Sequence, residues 1–324
     1  MSMPALFKGR LSIPVIGAPL FIISVPDLVI AQCKAGIVGS FPALNARPPA
    51  LLDEWLVRIK EELAAHDKAH PDRLSAPFAV NQIVHRSNNR LEQDLALCEK
   101  HKVPMIITSL GAREELNQAA HRWGGIVFHD VINQKFAHKA IEKGADGLIL
   151  VSAGAGGHAG EISPFAFVAE TRQWFDGPIA LSGAIANGRA IRAVRLLGAD
   201  FAYIGSAFIA TTEANAVEGY KKMITTSAAE DIVYSNLFTG VHGNYLGPSI
   251  AAAGLDPDNL PVADKTRMNF GSGGNMKSKA WRDIWGSGQG IGQITDAPPV
   301  AELVARLKCE FDDAGDDFLR RARA

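Results

Sequence analysis

The chain has 324 residues, 47% of them apolar, and its 33 Lys and Arg nearly cancel 34 Asp and Glu to leave a formal net charge of −1. So even a balance gives no electrostatic case for nucleic acid or an anionic membrane surface as partner. No run approaches the roughly 18 apolar residues of a membrane span, the N-terminus lacks the order of an export signal, and Cys33, Cys98 and Cys309 lie far apart without metal-ligand spacing, so the expectation is a cytoplasmic protein with free thiols and no metal.

Apolar runs rich in β-branched residues alternate with segments of helical period. Ile13–Leu20 reads as the first strand, and Pro26–Gly36 as its helix, with Pro in the first turn and Gly at the end. Ile37–Phe41 is the second strand, followed by an amphipathic helix from Leu51 to about His66 that turns Glu54, Arg58, Glu61 and Glu62 to water. The next strands are Phe78–Val84, Met105–Ser109 and Ile126–Val131, with helices Asn89–His101, Arg113–Trp123 and Lys135–Lys143. Leu148–Ser152 with Phe165–Phe175, Ile179–Ser182 with Gly188–Leu197, and Phe201–Gly205 complete eight strands. Each strand is a continuous apolar run, the mark of a parallel sheet covered on both faces. Eight units, with no GxGxxG after the first strand, predict a closed (β/α)8 TIM barrel in preference to an open doubly wound sheet.

After Thr211 the pattern changes. Thr212–Ser227 reads as helical, and Ala228 to about Gly292 is rich in Gly, Asn, Pro and Ser, notably at Val241–Pro248, Phe270–Asn275 and Gly286–Gly292. The expected division is a barrel of residues 1–211 and 293–324, closed by the helix Val300–Phe311, and an inserted segment 212–292 over one mouth.

Active sites of parallel barrels lie at the C-terminal ends of the strands. The first ends in Gly17-Ala18-Pro19-Leu20, small enough for a flat ligand to lie on. The third carries Asn81 and Gln82, whose amides can donate and accept at the edge of a heteroaromatic ring or serve as bonded core amides. The fifth ends in His129-Asp130, of which at most one can face the lumen because neighbours alternate. The sixth ends in Ser152 and runs into Gly154-Ala155-Gly156-Gly157-His158-Ala159-Gly160, a titratable imidazole among glycines. The seventh and eighth end in Ser182-Gly183-Ala184 and Gly205-Ser206-Ala207, where barrels commonly hold phosphate; close strand–helix packing is the structural alternative. Asn187 is placed to cap the following helix, and His242 lies near Tyr245 in the inserted segment.

These pieces together resemble the nitronate monooxygenases, once called 2-nitropropane dioxygenases, from about Ile13 to Ile294. The likeness rests on Ile16–Leu20, Val80-Asn81, Ala155–Gly160, Leu181–Ile185, Ile204–Phe208 and Trp285–Gly290. It implies FMN on the C-terminal mouth: Ala18, Pro19, Leu20 and Asn81 at the ring, Gly156 and Gly157 lining it, and Gly183, Ala184, Gly205 and Ser206 at the phosphate. His129, Ser152, Ser182 and Gln289 complete the expected cofactor contacts, with His158 as the catalytic group over the ring. Leu20 stands where the family usually has Met, Gly154 where it often has Glu, and Asp130 where it often has Lys. The implied activity is oxidation of an alkyl nitronate, such as propionate 3-nitronate, by O2, with a homodimer left open. The alternatives are an NAD(P)H-dependent flavin reductase of the enoyl-acyl-carrier-protein or quinone type, a flavin-free barrel for a phosphorylated ligand, and a non-catalytic binding protein.

Overall fold

The computed structural model describes residues 4–262 and 283–322. Eight parallel strands form its main sheet: β1 (Val15–Gly17), β2 (Gly39–Pro42), β3 (Phe78–Ile83), β4 (Met105–Ser109), β5 (Ile126–Val131), β6 (Gly147–Val151), β8 (Ile179–Ser182) and β9 (Phe201–Ile204). They run in the order β1-β9-β8-β6-β5-β4-β3-β2, and the ring closes through a parallel bridge between Ile16 and Val38. This is the expected TIM barrel. The first strand is shorter than predicted because Ala18-Pro19-Leu20 leaves the ladder, Ala18 N–H still reaching the Ile204 carbonyl at 2.8 Å.

The outer helices are α1 (Pro26–Lys34), α2 (Leu51–Ala69), α3 (Leu91–His101), α4 (Glu114–Arg122), α5 (Gln134–Glu142), α6 (Pro164–Arg172) and α7 (Gly188–Leu197). Asn133 and Asn187 cap α5 and α7, accepting from Phe136 N–H at 3.0 Å and Ala190 N–H at 2.7 Å. The short α8 (Ser206–Ile209), then α9 (Glu218–Thr226) and α10 (Gly247–Ala252), precede the long C-terminal α11 (Val300–Ala322), which continues well past the predicted Phe311. Gly188 lets α11 approach α7: an added Cβ would lie 2.2 Å from Phe311 N, and Glu310 accepts the Gly188 N–H at 2.7 Å. Among the described residues no helix is long and apolar enough to cross a membrane.

The predicted helix over 212–227 forms only as α9. A second sheet, absent from the sequence reading, joins β10 (Ile232–Ser235) and β11 (Gly243–Leu246) to a two-residue strand, β7 (Gly157–His158), made by the glycine loop itself. The predicted loop at 270–275 lies outside the described residues.

Strand alternation sorts the core into two shells. Ile106, Val127, Leu148, Leu150, Leu181 and Ile204 face the helices. Ile16, Val38, Ala79, Met105, Ile107, Phe128, Ile149, Ala180, Phe201 and Tyr203 fill the lumen. Phe7, from a short turn before β1, plugs the lower end, its ring centroid 4.9 Å from Phe201 and 6.4 Å from Phe128, both edge-on. A repeated Gly-Ala-Asp tightens the same end. Asp146 accepts from Val127 N–H at 2.7 Å, and Asp200 from Ile179 N–H at 2.9 Å, while also pairing with Arg172 at 2.6 Å. Deleting a buried aromatic ring costs about 3–5 kcal/mol. Phe7→Ala is therefore expected to lower unfolding free energy by roughly that amount in urea titration. A change below about 1 kcal/mol would show that the plug does not support the lumen.

Candidate active site

The lumen is apolar up to its last layer, where the chemistry begins. Continuing the alternation from the lumen cluster brings Asn81, Ser109, Asp130, Ser182 and Tyr203 to the top of the barrel. Asn81 donates to Ser109 Oγ at 2.7 Å and to the Ile107 carbonyl at 3.2 Å. Ser109 in turn donates to Asp130 Oδ2 at 2.5 Å, so one chain of hydrogen bonds crosses three strands. Burial pushes the Asp130 carboxyl up to about 6, although Ser109 and the Leu110 N–H stabilise its charge. Burial also raises the Tyr203 phenol far above its usual range, and the neighbouring Asp130 adds to this.

Of the His129-Asp130 pair, Asp130 takes the lumen side. His129 faces the outer shell, its Nδ1 2.5 Å from Thr108 Oγ1, and burial lowers its pKa to about 4. It is nonetheless one of the residues lining the cavity.

A cavity of about 1910 Å3 opens above this layer. It joins the ends of β1, β3, β5, β6, β8 and β9, and its wall includes Ala18, Pro19, Leu20, Asn81, Gly156, Gly157, His158, Ser182, Gly183, Ala184, Gly205 and Ser206. Ser152 and Gln289 stand behind the wall. Ser152 is fully buried and donates to the Ser182 carbonyl at 2.5 Å, tying β6 to β8. The Gln289 side chain lies against Gly154, and its backbone N–H donates to the Gly154 carbonyl at 2.9 Å.

The Gly154 carbonyl also accepts from Ala184 N–H at 3.2 Å, so one oxygen joins the ends of β6 and β8 to the segment 286–290. Ala184 holds φ +53°, a left-handed conformation costly for a residue with a Cβ. Ser206 Oγ accepts from Gly288 N–H at 2.9 Å and lies 3.1 Å from Ser287 Oγ. Its hydroxyl therefore braces the 286–290 segment. Contact between the two glycine segments is at its limit: a Cβ on Gly156 would come within 2.7 Å of Gly288 N, and one on Gly288 within 2.7 Å of the Gly154 carbonyl.

His158 rests on the second sheet. Its register pairs it with Gly243, where a Cβ would sit 2.6 Å from the Gly157 carbonyl. Asn244 donates to the Ala155 carbonyl at 2.6 Å, and Tyr234 to the Ala159 carbonyl at 3.0 Å. His158 is half-buried and lines the cavity, and its Nε2 is 3.0 Å from Thr239 Oγ1. Desolvation lowers its pKa to about 4, so the imidazole is neutral at pH 7. His242 also reaches the wall, stacked on Tyr234 at 5.1 Å. Sequence reasoning missed Ser109, Tyr203, Tyr234 and Thr239. The first two could have been found by extending lumen alternation along β4 and β9. Among the described residues no cluster of three or more His, Cys, Asp or Glu could hold a metal ion.

A barrel whose C-terminal mouth gathers glycine turns around a neutral histidine in the glycine loop defines a ligand-binding enzyme scaffold of the TIM class. The profile of the nitronate monooxygenase family matches residues 6–310, and the chain belongs to that family of flavin-dependent oxidoreductases. It is 30% identical to a probable nitronate monooxygenase of Bacillus subtilis, across 94% of this chain and 97% of the relative. It is 28% identical to the nitronate monooxygenase of Paraburkholderia phytofirmans, across 92% of each. Among solved structures, the nitroalkane oxidase of Streptomyces ansochromogenes superposes with a TM-score of 0.78 at 21% identity, covering 97% of this chain and 100% of that one. FabK of Thermotoga maritima gives 0.77 at 20% identity, covering 99% of both chains. These two likenesses establish the fold.

Asp130 offers a test of the polar layer. Its folded-state pKa, about 6, lies above the unfolded value of 3.8, so its contribution to stability is full below about pH 4 and lost as pH rises through 6. Asp130→Asn keeps the shape without the charge. In urea titrations of the cofactor-free chain it is expected to gain roughly 1–3 kcal/mol over wild type at pH 8 and nothing at pH 4. Equal differences at both pH values would contradict the buried, charge-penalised carboxyl.

Proposed function

We propose that the chain binds FMN across the barrel mouth and oxidises alkyl nitronates, propionate 3-nitronate among them, with O2 as the second substrate. The observation that carries the reading is the convergence of β6, β8 and β9 on one cavity with His158 in its wall. The residues present fit the cofactor. Ala18, Pro19 and Leu20 offer a small apolar floor for a ring, and Asn81 spends its amide hydrogens inside the barrel, which leaves its carbonyl oxygen for a ring N–H. The backbone at Gly183 and at Gly205-Ser206 offers the phosphate dipoles rather than full charges, the chemistry of a barrel anion site. In this reading His129 contributes from the wall, while the Ser152 hydroxyl and the Gln289 backbone N–H hold the wall in place.

When bound, FMN supplies the electron acceptor that nitronate oxidation by O2 requires. The protein's own work is placement and proton handling. His158, neutral at pH 7, accepts a proton from a neutral nitroalkane or bonds to the oxygens of a nitronate. The glycine loop keeps side chains out of the space between the imidazole and the barrel floor.

General-base participation is worth about 10²–10⁴-fold, so His158→Asn is expected to lose turnover of nitroethane by about that factor while binding FMN as tightly as wild type. Steady-state oxygen consumption and FMN fluorescence quenching give the two readouts. Full turnover in the variant removes His158 from the mechanism. Anaerobic reduction of the loaded protein by propionate 3-nitronate alone is the matching expectation for the substrate; reduction by NADH but not by the nitronate contradicts it.

A further inference from the structure

His158 has no helix or long strand beneath it. It belongs to the two-residue β7, and what fixes that strand is the hairpin β10–β11. Backbone pairing to Gly243 and Asn244 sets the height of the strand over the barrel, and the Ala159 N–H donates to the His242 carbonyl at 3.2 Å. None of these bonds fixes the rotation of the imidazole. One hairpin group that touches the ring is the hydroxyl of Thr239, 3.0 Å from Nε2. Thr239 is itself held: its Oγ1 lies 3.0 Å from the Val241 carbonyl and accepts from the Val241 N–H at 3.3 Å, a local turn that leaves the hydroxyl little freedom. Its loop is built between the two strands that pair beside His158, so strand register and hydroxyl position are set by the same element.

We propose that Thr239 is a positioning residue for the reaction: its anchored hydroxyl holds the rotation of the His158 imidazole that the substrate meets. The proposal rests on the proton-handling role of His158. A threonine suits the task because its β-branch stiffens χ1, whereas a longer polar side chain would bring its own rotamer freedom to the contact. The arrangement also explains why a catalytic histidine can stand on a strand of only two residues.

The test pairs Thr239→Val, which keeps the shape and removes the hydroxyl, with Thr239→Ser, which keeps the hydroxyl. Misplacing a reacting group costs on the order of 10- to 100-fold, so Thr239→Val is expected to lower kcat on nitroethane by that range, with FMN affinity unchanged. Thr239→Ser is expected to retain most of the turnover. In the His158→Asn background Thr239→Val should add no further loss, because the group it positions is gone. The ring-nitrogen chemical shifts of His158, assigned by their disappearance in His158→Asn, should move in Thr239→Val and return in Thr239→Ser. An equal further loss in the His158→Asn background, or unmoved shifts in Thr239→Val, overturns the proposal. Full turnover of His158→Asn overturns the reading of His158 and the role of Thr239 with it, even where the shifts show the hydrogen bond intact.

Discussion

The site depends on two glycine segments approaching closer than any side chain permits. Gly154–His158 leaves the end of β6, and Gly286–Gly290 returns from far along the chain to lie against it. The backbone of each occupies the space a Cβ would need on the other. Because they meet, the Gly154 carbonyl can bind the amides of both Ala184 and Gln289, and Ser206 can bind Gly288. The ends of three strands are thereby fixed to one another, two through the Gly154 carbonyl and the third through the Ser206 hydroxyl. Gly243 extends the same logic to the hairpin, which comes near enough to pair with His158.

The barrel below this clamp is built to be inert. Its lumen is filled by aliphatic and aromatic side chains down to the Phe7 plug, and polarity appears only in the last layer. There the charge problem is handled by hydrogen bonding rather than by ion pairing: Asn81 to Ser109, Ser109 to Asp130. Burial raises the Asp130 carboxyl to about 6 and keeps His158 unprotonated at pH 7, so the two titratable groups are displaced in opposite directions by one cause, desolvation. The site thus has its acid–base character assigned before any ligand arrives.

All eight barrel strands were legible as continuous apolar runs, and so was the placement of thirteen cavity-wall residues at strand ends and in the glycine loop. The same continuity hid the phase. In Ile126-Val127-Phe128-His129-Asp130-Val131 both faces are buried, so the pattern cannot say which of His129 and Asp130 turns inward; only the packing of Phe128 in the lumen decides it. Ser152 and Gln289 do not line the cavity: the Ser152 hydroxyl ties β6 to β8, and the Gln289 backbone N–H binds the Gly154 carbonyl. The hairpin β10–β11 was invisible for another reason. Its strands have four residues each and are separated by seven, with no short turn signal between them, and its pairing partner is a loop. Thr239 follows from that hairpin alone.

The most direct measurement is a crystal structure of the FMN-loaded chain. The account predicts the phosphate within hydrogen-bond distance of backbone N–H groups at Gly183 and Gly205, and the His158 imidazole facing the ring across the open side of the cavity. A phosphate bound elsewhere, or an imidazole turned away from the ring with the glycine clamp intact, would contradict it.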